Sequence, residues 1–269
     1  MSSIVSLSPG QLLVTHSGNA FLRLGLIVEG PGGLHGLTAR HILDQEEDTR
    51  IYDAATVQFV GHRLPLTRRH HSAGEPREFF ETIGAFAIQH DAATVNFADP
   101  LVVGMMIGNP MRSIGRSVYK VGQNGSRTPA TVVGYGGTVE IARSGSNELY
   151  REVLEITFGK GPDDPVADGE AGSLILDERG AAIGLMIAGN RQACYVAPLL
   201  PFMHRNSFSV VSRVATPASH HNADVEEELS VGFRRALAGA GKIRSALSGT
   251  SDPEKEEIPK KLLDLVEVA

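Results

Sequence analysis

Over the first 215 or so residues the apolar positions fall in short runs, each closed off by Gly, Pro, Asn, Asp or Ser. Such runs bounded by turn formers predict strands rather than helices. Residues 11–28 read as apolar strands around the turn His16-Ser17-Gly18-Asn19, and residues 44–82 are polar apart from one strand-like run at 55–60. Residues 118–141 read as strand, tight turn and strand, and residues 149–158 alternate apolar with polar. A hairpin follows, with apolar strands at 173–176 and 181–188 around the polar turn 177–180, and then a further strand at 193–198.

From about residue 215 the pattern changes. Leu229, Phe233, Leu237, Ala240 and Leu247 recur near helical spacing behind the acidic start Asp224-Val225-Glu226-Glu227-Glu228. Gly239 and Gly241 weaken that helix at its middle. A polar linker at 248–257 and a short apolar face at 258–268 complete the chain. The expected organisation is an all-β domain over 1–215 and a helical or flexible extension over 216–269. No internal repeat is evident. The extension reads either as a helix packed on the domain or as a docking peptide for a protein partner.

Composition narrows the class. A chain of 269 residues with thirty Gly and no Trp suits one large β-domain plus an appendage. The net charge of −6 argues against a dedicated nucleic-acid binder, which carries a basic patch. A single cysteine, Cys194, rules out an internal disulfide framework and fits a reducing compartment. Met1 is followed by no charged-then-apolar leader, and no apolar run is long enough to span a membrane, so a cytoplasmic location is expected. His62 and the pair His70-His71 lack a second cluster at ligand spacing; a solvated loop is expected there, and no metal or cofactor.

Three stretches carry candidate chemistry. Gly169-Glu170-Ala171-Gly172-Ser173 is a Gly-bounded turn entering the hairpin, Leu37-Thr38-Ala39-Arg40-His41-Ile42-Leu43 sets a histidine after an apolar strand, and Asp91-Ala92-Ala93-Thr94-Val95 sets a carboxylate before another. Together they resemble the trypsin-like serine proteases, more closely their intracellular bacterial members than the digestive enzymes. In that family the turn reads G-D-S-G, the histidine segment L-T-A-A-H and the acidic segment D-[IVL]-A-[LV]. The looser match of Lys120, Gly122, Ser126 and Thr128 to a strand–turn–strand segment, and of residues 193–198 to a closing strand, points the same way.

The resemblance implies two six-stranded antiparallel β-barrels of chymotrypsin type, at about 10–100 and 115–205, joined through 100–116. It implies His41 as general base, Asp91 as its orienting acid and position 171 as the nucleophile, in the chain order of chymotrypsin. The N–H groups of Gly169 and Ala171 are expected to form the oxyanion hole. Two positions depart from the pattern. Ala171 stands where the family has its nucleophilic serine, so the chain as written is expected to be catalytically silent. Glu170 stands where the family has Asp held by a buried partner; Arg40 is a candidate for that partner. Ser173, inside the strand, and Cys194, on a strand behind the pocket, are not expected to substitute for the missing serine.

The wall of the first specificity pocket is expected from Pro165, Val166, Ile187, Ala188 and Gly189, which carry no charge and so suit a small or apolar residue. The edge at 187–189 could pair with a peptide backbone. Two functions follow. One is a serine endopeptidase acting on protein or peptide substrates, present here with its nucleophile changed to alanine. The other is a natural pseudoprotease that uses the same groove as a peptide-binding or scaffold module.

Overall fold

The computed structural model describes residues 4–18, 20–44, 47–66, 75–143, 146–159, 169–189 and 193–212. The chain divides into two units, Met1–Val214 and Ala215–Ala269. The second unit, with the helix expected over 224–247, lies outside the described residues, as do His70 and His71. No described helix is long and apolar enough to cross a membrane.

The first half of unit one runs β1 (Val5–Leu7), β2 (Leu12–Thr15), β3 (Phe21–Arg23), β4 (Leu26–Gly30), β5 (Gly33–Ala39), α1 (Arg40–Leu43), β6 (Arg50–Asp53), β7 (Phe59–Arg63), β8 (Arg77–Glu78), β9 (Ile83–Ile88) and β10 (Ala93–Val95). The second half runs β11 (Ser117–Val121), β12 (Arg127–Arg143), β13 (Ser146–Phe158), β14 (Leu174–Asp177), β15 (Ala182–Gly189), β16 (Cys194–Pro198), α2 (Leu199–Asn206) and β17 (Ser209–Val210).

Each half closes into a ring. In the first, β3 pairs with β2 and continues through Leu24 and Gly25 into β4, which pairs with β5; β9, β7 and β6 then lead back to β2. Counting β3 and β4 as one bent strand, that barrel has six. In the second, β11, β12, β13, β16, β15 and β14 pair in turn, and β14 returns to β11. Closure gives each barrel strand a partner on both sides over at least part of its length. The expected pair of six-stranded antiparallel barrels is what forms.

Each barrel has its own interior. Leu13, Leu22, Ile27, Ile51, Val60 and Phe86 fill the first; Val118, Val132, Leu154, Ile156, Ile175, Ile183 and Val196 fill the second. A third cluster lies between them, joining Leu26, Val28, Leu37, Ala39, Ile83 and Ala85 of the first to Leu174, Leu176, Leu185 and Ile187 of the second. Strands at this junction are buried on both faces, which explains why 26–28, 174–176 and 182–187 read as unbroken apolar runs.

The connection between barrels is stitched to the second by Gly108 N–H to the Ala182 carbonyl and Ala182 N–H to the Met106 carbonyl, both 2.8 Å. Beyond the second barrel, α2 buries Leu199, Phe202 and Met203 in the junction, and β17 crosses back to pair with β4. That helix was not legible in the sequence. It is eight residues long and carries Pro201 in its first turn, where proline is tolerated. The strand expected at 55–60 starts only at Phe59. Before it, Asp53 Oδ1 accepts from both the N–H and the hydroxyl of Thr56, and the chain turns through Val57 at φ 55.

Glycine permits the close contact of the barrels. A Cβ on Gly25 would lie 2.4 Å from the Gly172 carbonyl oxygen and 2.5 Å from Leu185 Cδ2. Gly25→Ala is therefore expected to cost about 2–3 kcal/mol by overpacking and to lower the melting temperature by roughly 4–12 °C. Gly134→Ala, where nothing lies within 4 Å, is the neutral control. Thermal melts of the two variants check the difference.

Candidate functional site

The Gly169–Ser173 turn sits against the first barrel. Arg23 N–H donates to the Ala171 carbonyl at 2.9 Å, and Gly172 N–H donates to the Met186 carbonyl at 2.7 Å. Gly169 and Gly172 take φ +85 and +98, a region that favours glycine. A Cβ on Gly172 would also meet Arg23 O and Thr38 Oγ1 at 2.4 Å and Ala39 N at 3.2 Å. The turn carrying Ala171 thus abuts the Thr38–Ala39 end of β5, from which α1 starts with His41 in its first turn. Ala171 packs on the junction cluster together with Ile42. Position 171 thus lies on the turn that meets the chain two to three residues before His41.

Asp91 lies elsewhere. β5 and β9 are antiparallel, with Ala39 opposite Ile83 and His35 opposite Ala87. Asp91 follows the far end of β9, on the exposed turn beside the start of β5; its neighbour His90 lies 3.6 Å from where a Cβ on Gly33 would be. Six residue steps of strand separate Gly33 from Ala39, roughly 20 Å at about 3.4 Å each. A carboxylate there is out of hydrogen-bonding reach of His41, so the expected role of Asp91 is corrected. The residues of that segment nearest α1 are those entering β9. Thr82 is 2% exposed there, and its hydroxyl donates to the Phe79 carbonyl at 2.6 Å. Among the described residues beside α1, arginines hold Asp44 (Arg40 and Arg63) and Glu81 (Arg205).

Glu170 is held from both barrels. Its Oε1 accepts from Arg23 Nη2 at 2.6 Å and Nε at 3.3 Å, and its Oε2 accepts from Lys120 Nζ at 2.7 Å and Ser173 Oγ at 3.3 Å. Arg23 lies on β3 of the first barrel and Lys120 on β11 of the second; all three side chains are nearly buried, at 11, 7 and 12% exposure for Arg23, Lys120 and Glu170. Arg40, expected as the partner, instead bonds to Asp44 and to the Leu66 carbonyl. The sequence contained a signal for the true partners: each is a cation inside an apolar strand, where such residues are almost never buried unless paired. Burial pushes the Glu170 carboxyl up, but Lys120 and Arg23 together outweigh it and hold it below its ordinary value. Ser173 is fully buried, and its hydroxyl also donates to the Glu170 carbonyl at 2.7 Å, so it belongs to the turn's own bonding.

Of the expected pocket wall, Pro165 and Val166 lie outside the described residues. Ile187 is buried, Ala188 half-buried and Gly189 exposed. β14 covers β15 only from Ala182 to Leu185; beyond Met186, among the described residues, β15 pairs with β16 alone. Among the described residues no strand pairs with the edge of 187–189 next to the turn, the side to which a strand-like ligand would add. Cys194 backs it, with its Sγ 2.8 Å from a Cβ placed on Gly189. No group of three or more His, Cys, Asp or Glu among the described residues could hold a metal.

No protein-family model and no curated protein matches the chain. Among solved structures it is similar to Protease A of Thermobifida fusca, with a TM-score of 0.53 and 17% identity over 77% of this chain and 100% of that one. It is similar to an alpha-lytic protease homologue, N4, with a TM-score of 0.56 and 15% identity over 76% and 98%. The chymotrypsin of Cellulomonas bogoriensis gives a TM-score of 0.50 and 14% identity over 77% and 99%. At these identities the likeness is one of fold: the chain has the two-barrel chymotrypsin fold, and its structural neighbours are serine proteases.

The Glu170 clamp makes stability depend on acid. A carboxyl whose folded pKa is lowered contributes stability that is present above its ordinary pKa of 4.5 and is lost as pH falls through the folded value. Glu170→Gln is expected to cost about 3–5 kcal/mol at neutral pH, because two buried cations lose their counter-charge. Its stability should also decline less steeply than the parent's below about pH 4.5. Urea unfolding across that range measures both effects.

Proposed function

We propose that this protein is a non-hydrolytic peptide-binding module built on a serine-protease scaffold. One observation carries the reading: the turn that abuts the end of β5 carries Ala171, which has no hydroxyl to attack with, and the register of β5 against β9 leaves Asp91 beyond the far end of β9. Removal of a member of such a triad typically leaves only ~10³–10⁴-fold residual catalysis over water. What supports binding is the geometry that remains. The turn is clamped by Glu170, and among the described residues no strand covers the 187–189 edge of β15 beside it. An extended peptide would add to that edge through main-chain hydrogen bonds, with a small or apolar side chain directed towards Ile187 and Ala188. The N–H groups of Gly169 and Ala171 would then meet a peptide carbonyl.

A second reading is that of a serine endopeptidase whose nucleophile has been replaced by alanine. It is favoured by the contact of the Gly169–Ser173 turn with the end of β5, from which α1 and His41 follow.

Restoring the hydroxyl separates the two. Ala171→Ser, treated with a fluorophosphonate probe beside Ala171→Ser/His41→Ala, is expected to show no His41-dependent labelling and no peptide hydrolysis. Labelling at position 171 that vanishes without His41 would establish a working base and sink the non-hydrolytic reading in favour of the endopeptidase.

A further inference from the structure

Beside Gly169, a cavity of about 810 Å³ opens between the barrels. Its walls are the N-terminal segment around Ser6 and Pro9, the start of β2, the 53–58 turn of the first barrel and the 123–125 turn that joins β11 to β12. It is continuous with the site. Leu12 and Phe21 line it, and the same two side chains stand 3.2 and 3.3 Å from where a Cβ on Gly169 would be. Phe21 is 44% exposed, a large apolar surface at the mouth. The volume lies within the ~300–1,000 Å³ usual for ligand sites.

We propose that this cavity is a second peptide subsite, which takes the segment of an extended ligand beyond the Gly169 turn and selects uncharged or lysine- and arginine-bearing sequences over acidic ones. The proposal rests on the peptide-binding reading above and adds where the chain runs and what it must carry.

Charge decides the class of ligand. Among the described residues lining the cavity, the charged ones are Asp53 and Asp99, and none is Arg, Lys or His. Asp53 is 3% exposed and stays ionised: burial opposes the charge, but bonds from Thr56 and from Gln11 at 2.6 Å hold its carboxyl below the ordinary value. A buried carboxylate is weakly screened, so its field repels acidic segments and attracts cations. The remaining polar wall is rich in carboxamides, including Gln58, Gln123 and Asn124, each of which can both donate to and accept from a peptide main chain. At the rim, Val57 holds φ 55 with its side chain 71% exposed, between lining residues Thr56 and Gln58. A β-branched residue in that region is an outlier, and such strain gathers at ligand-holding positions.

The test uses the full chain and two acetylated, amidated peptides of about ten residues, matched to extended pairing on both sides of the turn. Both have an alanine-rich first half; the second half alternates glycine with lysine in one and with glutamate in the other. Fluorescence anisotropy at low salt is expected to show the lysine peptide binding at least ~5-fold tighter, with the gap narrowing at high salt. Ala55→Arg, on an exposed lining residue, should weaken the lysine peptide by roughly 5-fold, and Gln123→Glu should strengthen it by about 3-fold. Amide shift mapping by NMR places the ligand. Shifts at Ala55 and Asn124 as well as Ala188 and Gly189 support the proposal. Shifts confined to Ala188 and Gly189, with equal affinities, overturn it and leave the peptide-binding reading standing. Shifts confined to the cavity with the lysine preference support the subsite and remove the β15 groove from the reading. No shifts with either peptide overturn both.

Discussion

The carboxylate of Glu170 is the point on which the candidate site depends. It takes Arg23 from one barrel and Lys120 from the other, and so fixes the turn that carries Ala171 to both at once. Three ions this far from water are costly unless each is paired and its remaining donors are used. Here they are: Arg23 also donates to the Gly10 carbonyl at 3.0 Å, and Lys120 lies 5.8 Å from the centre of the Phe158 ring. The clamp consists entirely of side chains within the barrels. The shape of the turn is accordingly a property of the folded chain.

Around that clamp the junction is dry and tight. Two-sided strands supply Leu26, Val28, Leu174 and Leu185, and glycines let backbone meet backbone where any side chain would hold the barrels apart. This rigidity lets the geometry of the proposed binding site persist whether or not position 171 carries a hydroxyl. The surface beside the turn is positioned by packing and by the ion cluster, neither of which involves the hydroxyl that a serine at 171 would add. A site held in this way can present a strand edge and a turn of fixed shape to a ligand without ever activating a nucleophile.

The same architecture gives the groove two unlike arms. On one side is the exposed end of β15, apolar and backed by Cys194; on the other is the acid-lined cavity reached past Phe21. A ligand that crosses the turn meets both, so recognition can be distributed over several residues on each side. Distributed contacts of this kind suit a binding module, because affinity then rests on main-chain pairing and charge and not on a single deep pocket.

Local pattern by itself determined much of this protein. Short apolar runs and turn residues specify the strands, the unbroken runs mark those buried on both faces, and the turn Gly169-Glu170-Ala171-Gly172 announces a bend that carries alanine. The position of His41 just after a buried strand was equally legible, because it is a local feature. The tertiary structure decided what depends on pairing. The register of β5 against β9 carries Asp91 to the wrong end of the sheet, although its D-x-A context looked right. The partners of Glu170 lie 147 and 50 residues away in sequence, and α2 is too short to show a helical period. Hydrophobic period and turn chemistry are written residue by residue, whereas register, and which buried charge meets which, exist only once distant strands have closed into barrels.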